Sequence, residues 1–263
     1  MLTLTIYMLA GVFVGLGSGL FGIGGGMIAV PVLLPIFAAQ GMDPDVAMHL
    51  AIGSSMSTIV VTGMSSARAH HRLGNIHWDA LPWLGLGLGG GALSGAQIAG
   101  LLGGDELRVV FGACALLLAV RMFFGGQPRP AAILPSRLLV VTVGFAIGAV
   151  SSLVGIGGGA FLVPFLAWMG LQMREAVGTS AAGGVCIAAA GSLGFILAGT
   201  GDEHLPPLST GYVYWPAVGG ITLASVFLAP VGAKLASRLS PLMLRRAFAI
   251  FLIVLGLRLL LSG

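Results

Sequence analysis

The sequence predicts an all-α membrane protein built from two inverted repeats, each a helical hairpin broken at a glycine run and followed by three transmembrane helices. Three observations carry that prediction. Of 263 residues, 57% are apolar and only 8% charged, with a mean hydropathy of +1.05, whereas a water-soluble domain carries about a quarter charged residues. Apolar runs long enough to cross a bilayer recur along the whole chain. The run GIGGG occurs twice in equivalent surroundings, at Gly22–Gly26 and Gly155–Gly159.

The net charge of +4 and pI near 9.7 do not imply a nucleic-acid partner. The basic residues sit in short connectors between apolar runs, where they act as topology signals, and no stretch interleaves basic and aromatic residues. The first residues lack a positive start and a small-residue cleavage site, so a retained first helix is expected. Cys114 and Cys186 lie far apart in apolar runs and read as small core residues. No metal, cofactor or catalytic residue is expected.

The repeat extends beyond the glycines. Val-Pro follows each run, at Val30-Pro31 and Val163-Pro164, and Ala51–Ser55 matches Ala176–Ser180. Gly95-Ala96 matches Gly232-Ala233, and the register then holds through Leu107-Arg108 with Leu244-Arg245, Phe111 with Phe248 and Arg121 with Arg258. The halves are 1–124 and 137–263, joined by a polar linker over 125–136, expected to be cytoplasmic, that contains Pro128, Pro130 and Pro135.

In chain order the first half reads as a broken segment over 4–38, then spans over 46–67, 80–103 and 107–124. The second half gives a broken segment over 138–169, then spans over 175–199, 211–236 and 243–261. There are thus eight conventional segments, or ten helices if each broken one counts as two. An unbroken helix of about 35 residues would measure about 52 Å, too long for a core of about 30 Å. Each broken segment is therefore one span with an overhang or a hairpin that returns to its own side.

Charge decides between these. If each broken segment crosses once, the Lys and Arg residues divide equally and give no signal. If each is a hairpin, Arg68, Arg72, Arg121, Arg129, Arg137, Arg174, Lys234, Arg238, Arg245 and Arg246 share one side. Arg108 and Arg258 remain on the other, with Asp43, Asp45, Asp105, Glu106, Asp202 and Glu203. The positive-inside rule selects the hairpins and makes the basic side cytoplasmic. Three net crossings per half then invert the second half relative to the first and put both termini outside, in the plasma (inner) membrane. Trp78, Trp83, Trp168, Tyr212, Tyr214 and Trp215 fall near segment ends, as interfacial aromatics do.

Glycine reaches backbone angles closed to other residues, and non-helical backbone at membrane depth persists only where protein buries it or it lines a cavity. Beyond each break a helix restarts, near Met27 and Ala160, with unpartnered amides and a partial positive charge. Two such ends meeting at mid-membrane would form a cage of donors for a small anion. The candidate ligands are Gly22, Gly24, Gly25 and Gly26 in the first break, and Gly155, Gly157, Gly158 and Gly159 in the second. Ser18, Ser151 and Ser152, just before the breaks, add hydroxyls, as do Ser54, Ser55, Thr179 and Ser180 in the following spans. Glycines and hydroxyls also serve plain helix packing; recurrence of the whole run at equivalent places favours a site. His49, His70, His71, His77 and His204 lie at or near connectors and read as solvated or interfacial. The stretch Gly17–Gly22 fits G-x-G-x-x-G, but that fingerprint needs a soluble βαβ unit, and the second copy of the break lacks it.

These motifs resemble the sulfite exporter TauE/SafE family over nearly the full length: GLFGIGGGMIAVPVL at Gly19–Leu33, AIGSSMSTIV at Ala51–Val60, HHRLGNIHW at His70–Trp78 and VGIGGGAFLVPFL at Val154–Leu166. The resemblance implies export of sulfite, a sulfonate or a similar sulfur-containing anion; the residues themselves reach only a small anion. The expected protein is thus a secondary transporter, not an enzyme, working by alternating access between the two breaks. Its partners are a small anionic substrate and the lipid bilayer, with no nucleic acid and oligomeric state open. Two rivals stand beside it. One is a non-transporting membrane subunit that docks a partner, for which the short connectors offer little surface. The other is an intramembrane serine protease using Ser18, which needs a histidine within reach at membrane depth.

Overall fold

The computed structural model describes residues 2–21, 25–124, 136–236 and 241–261. Gly22 and Gly24, Arg129, Arg238 and all of the linker except Ser136 lie outside the described residues. Among the described residues there are ten helices: α1 (Leu2–Phe21), α2 (Gly26–Ala39), α3 (Pro44–Arg72), α4 (Leu81–Leu101), α5 (Gly104–Phe124), α6 (Arg137–Leu153), α7 (Gly159–Trp168), α8 (Met173–Ala198), α9 (Trp215–Ala236) and α10 (Pro241–Leu261). Five segments among the described residues are long and apolar enough to cross a membrane: α3, α4, α5, α8 and Trp215–Gly232 of α9. The protein is a multi-pass helical membrane protein.

The expected segments are found with small shifts at their ends. Helices restart after the breaks at Gly26 and Gly159, one residue earlier than expected. A larger correction concerns 211–236: α9 begins only at Trp215, and residues before it pair as a two-stranded hairpin, β1 (Ser209–Thr210) with β2 (Val213–Tyr214). Its turn is closed by Gly211 at φ 53°.

Glycine and alanine set the packing, because small residues let helix backbones approach and gain dispersion contact that lipid cannot supply. Gly11 lies against Ile221 and Ala224, Gly15 against Ser225 and Leu228, and Gly232 against Leu16 and Leu20. The numbers rise together, so α1 runs parallel to α9. By the same test α4 runs parallel to α6, through Gly87 on Val141 and Gly95 on Ala149, and parallel to α8, through Gly89 on Ala190 and Gly100 on Ala198. Helices α3 and α8 are antiparallel, with Gly63 against Val185, Gly191 against Met56 and Gly53 against Phe195. Helices α5 and α10 are antiparallel too: Gly112 meets Gly256, and the Arg245 guanidinium donates to the Met122 carbonyl.

These directions fix the path of the chain. Because α6 and α8 both run with α4, α7 between them carries the chain back to the end where α6 began. At the first break the Tyr7 hydroxyl donates to Gln40 Oε1 at 2.7 Å, which brings the start of α1 and the end of α2 together.

Each long connector seals the N-terminal half of an antiparallel central helix. The Tyr214 amide donates to Ser54 Oγ on α3 at 2.9 Å, and the His77 amide donates to Thr179 Oγ1 on α8 at 2.9 Å. Beside them a Cβ at Gly53 would collide with the Tyr212 carbonyl, and one at Gly178 with that of Asn75. Tyr212 and Tyr214 are therefore buried and do not join the interfacial aromatics, unlike the exposed Trp78, Trp83 and Trp215. Arg137 lies over the Trp83 ring, 5.2 Å from its centroid, a cation–π contact suited to a basic interface.

His49 is a further correction to the expectation of solvated histidines. It is 3% exposed within α3. Its Nε2 lies 3.0 Å from the carbonyls of Ala99 and Leu102, Nδ1 lies 3.2 Å from that of Asp45, and its ring lies tilted against that of Tyr212, with centroids 4.7 Å apart. At the same end, burial pushes the Asp202 carboxyl up, but hydrogen bonds from the His204 amide and ring and the Tyr212 hydroxyl outweigh it and hold the group below the ordinary carboxylate range. Tyr212 is pushed up to about 12 by burial and by that bond.

Two predictions follow from these contacts. Ser54→Ala leaves a buried amide without its acceptor and is expected to cost about 1–3 kcal/mol, read as a lower Tm in detergent. Asp202 has a lowered pKa in the folded protein, so its contribution is present above about pH 4, the unfolded value, and fades on acidification. The Tm advantage of the parent over Asp202→Asn is expected to shrink below that pH in a thermal scan series.

Candidate anion site

The two breaks share one backbone geometry. Gly25 precedes α2 with φ 77°, ψ −18°, and Gly158 precedes α7 with φ 78°, ψ −16°, both left-handed and neither helix capped by a side chain. The left-handed angle turns the chain from one helix into the next and leaves the first amides of α2 and α7 without intrahelical acceptors. The breaks touch: a Cβ at Gly26 would collide with the Gly155 carbonyl oxygen. Ser55, fully buried on α3, hydrogen-bonds both, its Oγ 3.3 Å from the Gly155 carbonyl and 3.5 Å from that of Gly26. Ile59, one turn on, packs between Gly26 and Gly157.

Beside this contact lies a cavity of about 450 Å³. Its inner wall is made by Ser18 and Gly19 at the end of α1, and by Gly157 and Gly159 of the second break. Its sides come from α3 (Ile59, Thr62, Gly63, Ser65, Ser66, His70), α8 (Val177, Ser180, Gly184) and α9 (Ser225, Ala229, Pro230). Ser65 and Ser66 are exposed, so the cavity opens along the C-terminal part of α3, toward Arg68, Arg72, Arg174 and Lys234. Among the described residues six hydroxyls, from Ser18, Thr62, Ser65, Ser66, Ser180 and Ser225, line it, and no carboxylate does. The Thr62 and Ser225 hydroxyls donate to the Thr58 and Thr222 carbonyls of their own helices, and the lining hydroxyls carry no negative charge that would repel an anion. A narrow second pocket joins it through Ser18, Thr62 and Ser225 and is lined also by Gly25, Gly26 and Ser55.

Of the residues expected at the site, Ser18, Gly157, Gly159 and Ser180 line the main cavity, and Gly25, Gly26 and Ser55 line its extension. Gly155 and Gly158 stand directly behind them: Gly158 lies against Ile187 and Ser151. Ser151 and Ser152 are fully buried outside the lining, and each Oγ lacks a hydrogen-bond partner among the described residues. Ser54 and Thr179 are engaged instead as acceptors for the connectors. Cys114 and Cys186 are free thiols on the flanks of α5 and α8.

The lining residues that the sequence reading passed over are mainly on α3. Ile59, Thr62, Ser66 and His70 follow the expected Ser55 at three- and four-residue spacing and so share its face of that helix; the polar members of that stripe through an apolar span are the available signal. His70 lies within α3 and not in the connector after it. It lines the same cavity as Ser18, yet no hydrogen bond joins the two among the described residues.

The opposite end of the molecule is closed. Tyr7, Phe37 and Tyr214 form a triangle of edge-to-face rings with centroids 5.9–6.3 Å apart, and Tyr7 and Phe37 are fully buried. Each such pair contributes about 0.5–1.5 kcal/mol beyond its buried area.

The sequence model of the sulfite exporter TauE/SafE family matches residues 7–259. A probable membrane transporter protein of Haemophilus influenzae is 36% identical over 97% of this chain and 97% of its own length. One of Methanocaldococcus jannaschii is 28% identical over 99% of this chain and 97% of its own, and one of Bacillus subtilis 22% identical over 100% and 99%. No solved structure matches significantly. With a family match across almost the whole length and membrane transporters as full-length relatives, the chain belongs to the sulfite exporter TauE/SafE family.

Proposed function

We propose that the protein exports a small sulfur-containing oxyanion, such as sulfite or a sulfonate, across the inner membrane as a secondary transporter, binding it between the two glycine breaks. The observation that carries this reading is the cavity of about 450 Å³. With its narrow extension it reaches both breaks and opens toward the basic end of the bundle, it offers hydroxyls and helix N-termini, and no carboxylate among the described residues lines it. The basic end is cytoplasmic on the positive-inside rule, so the arrangement corresponds to an inward-open state, sealed outward by Tyr7, Phe37 and Tyr214. Both chain termini then face outward.

The packing supports an inverted repeat. Helices equivalent in the sequence repeat, α3 with α8 and α5 with α10, run antiparallel, and the crossed contacts α1 on α9 and α6 on α4 exchange under the same correspondence. Alternating access then amounts to opening the aromatic seal while the basic end closes over the breaks. An inside-negative potential favours anion exit by about 2.3 kcal/mol per charge per 100 mV.

Reconstituted into vesicles without any partner, the purified protein is expected to move labelled sulfite, faster when the potential drives the anion. Absence of flux with every sulfur oxyanion tested would leave the docking-subunit reading in place. The cage itself is tested by Gly25→Ala with Gly158→Ala, which strains each left-handed turn by about 1–2 kcal/mol. This double variant is expected to lose most of the thermal stabilisation that the anion gives the parent. Unchanged ligand stabilisation would reduce the breaks to packing.

A further inference from the structure

We infer that His70 is the proton-binding group of the anion site, so that anion affinity is linked to protonation of its imidazole. The inference rests on the proposed reading of the cavity as the anion's site. Among the described residues, His70 is the one titratable residue lining that cavity. Its Nδ1 is buried and has no hydrogen-bond partner among the described residues, so no described group of the chain satisfies that nitrogen or fixes the tautomer of the ring. Imidazole ordinarily titrates between pH 5 and 8, and its protonated form presents two N–H donors where the neutral form presents one. An oxyanion entering from the basic end meets it before the hydroxyls of Thr62, Ser180 and Ser18.

The surroundings favour this assignment over a neighbouring group. On its own helix Arg68, His71 and Arg72 are exposed, and His71 packs edge-on to Trp78 at 5.4 Å. In the connector His77 and Asp79 are exposed. Helix α8 brings Arg174 and Glu175 one turn before the lining residue Val177, with the Glu175 carboxylate accepting the Gln172 amide at 3.1 Å. Helix α9 brings Lys234 one turn past Pro230. Helix α7 carries no titratable side chain, and α1 carries only Tyr7, at the far end. None of these neighbours is in the cavity wall, and His70 alone of the described titratable groups here lines it.

The test uses sulfate and methanesulfonate, whose own charges are constant between pH 5 and 8.5, together with sulfite and thiosulfate, on the full-length protein in detergent. Calorimetric affinity is expected to rise as pH falls, by up to tenfold per unit, and to level off once the imidazole is protonated. His70→Gln is expected to bind weakly with no such slope, His70→Lys to bind without a slope, and His71→Gln to keep the parental slope. A variant-free arm measures proton uptake when anion is added to weakly buffered parent protein near neutral pH, with up to one proton per anion expected. A parental slope in His70→Gln, or anion binding without proton uptake, would overturn the assignment while leaving the anion site standing. No binding of any of the four anions at any pH would remove the site and this inference together.

Discussion

Main chain that leaves the helix inside a membrane has no water to turn to, and every unpaired amide or carbonyl there costs several kcal/mol. The contact between the two breaks is the structure's answer on the carbonyl side. Gly26 has no side chain, so the Gly155 carbonyl can approach it, and the Ser55 hydroxyl reaches the carbonyls of both residues. That places α3 against the break between α6 and α7, and α3 in turn positions α8 antiparallel to itself. The amides of α2 and α7 remain, and a cavity that could hold an anion lies beside them. The same interruption that would be intolerable in lipid is thus both the crossing point of the fold and its polar centre.

The two ends of the molecule differ although their connectors are clamped alike. At the acidic end Tyr7, Phe37 and Tyr214 fill the space between α1, α2 and the β-hairpin. The equivalent positions in the sequence repeat are Val140, Gly170 and His77, which cannot make such a triangle. The seal therefore has no counterpart at the basic end, where the cavity opens. Under the proposed alternating access, such an asymmetric set of aromatic residues would favour one facing over the other, with aromatic contact area setting the difference.

Much of this architecture is readable from residues alone. The repeated GIGGG, the distribution of lysine and arginine, and the Val-Pro after each break lead to the helices and their ends, because they reflect physics that acts locally: glycine freedom, the positive-inside rule and proline's missing donor. The same register extends back to Gly74–Trp78 against Gly211–Trp215, and the paired clamps on Thr179 and Ser54 could have been read from it. What was not legible depends on tertiary neighbours. Tyr212–Trp215 reads as the start of a span because it is apolar and aromatic, but the Tyr212 and Trp215 amides donate to the Phe195 and Leu208 carbonyls and the Tyr214 amide to Ser54. His49 looks interfacial two residues after Val46-Ala47, but three carbonyls from α3 and the α4–α5 corner surround it. His70 sits near a connector in sequence, and only the path of α9 shows that it has a cavity in front of it.

The crossed contacts have a consequence for how the chain is made. Helix α1 leaves the ribosome long before α9, yet the surface that Gly11 and Gly15 are cut to fit belongs to α9. At the usual speed of synthesis α1 waits on the order of ten seconds or more for that partner. During the wait its glycine face and the broken turn beyond Ser18 must be sheltered, by lipid, by α2 or by the insertion machinery. The chain therefore cannot mature helix by helix as it enters the membrane; it must be held loosely assembled until α9 arrives and lets both crossings close together.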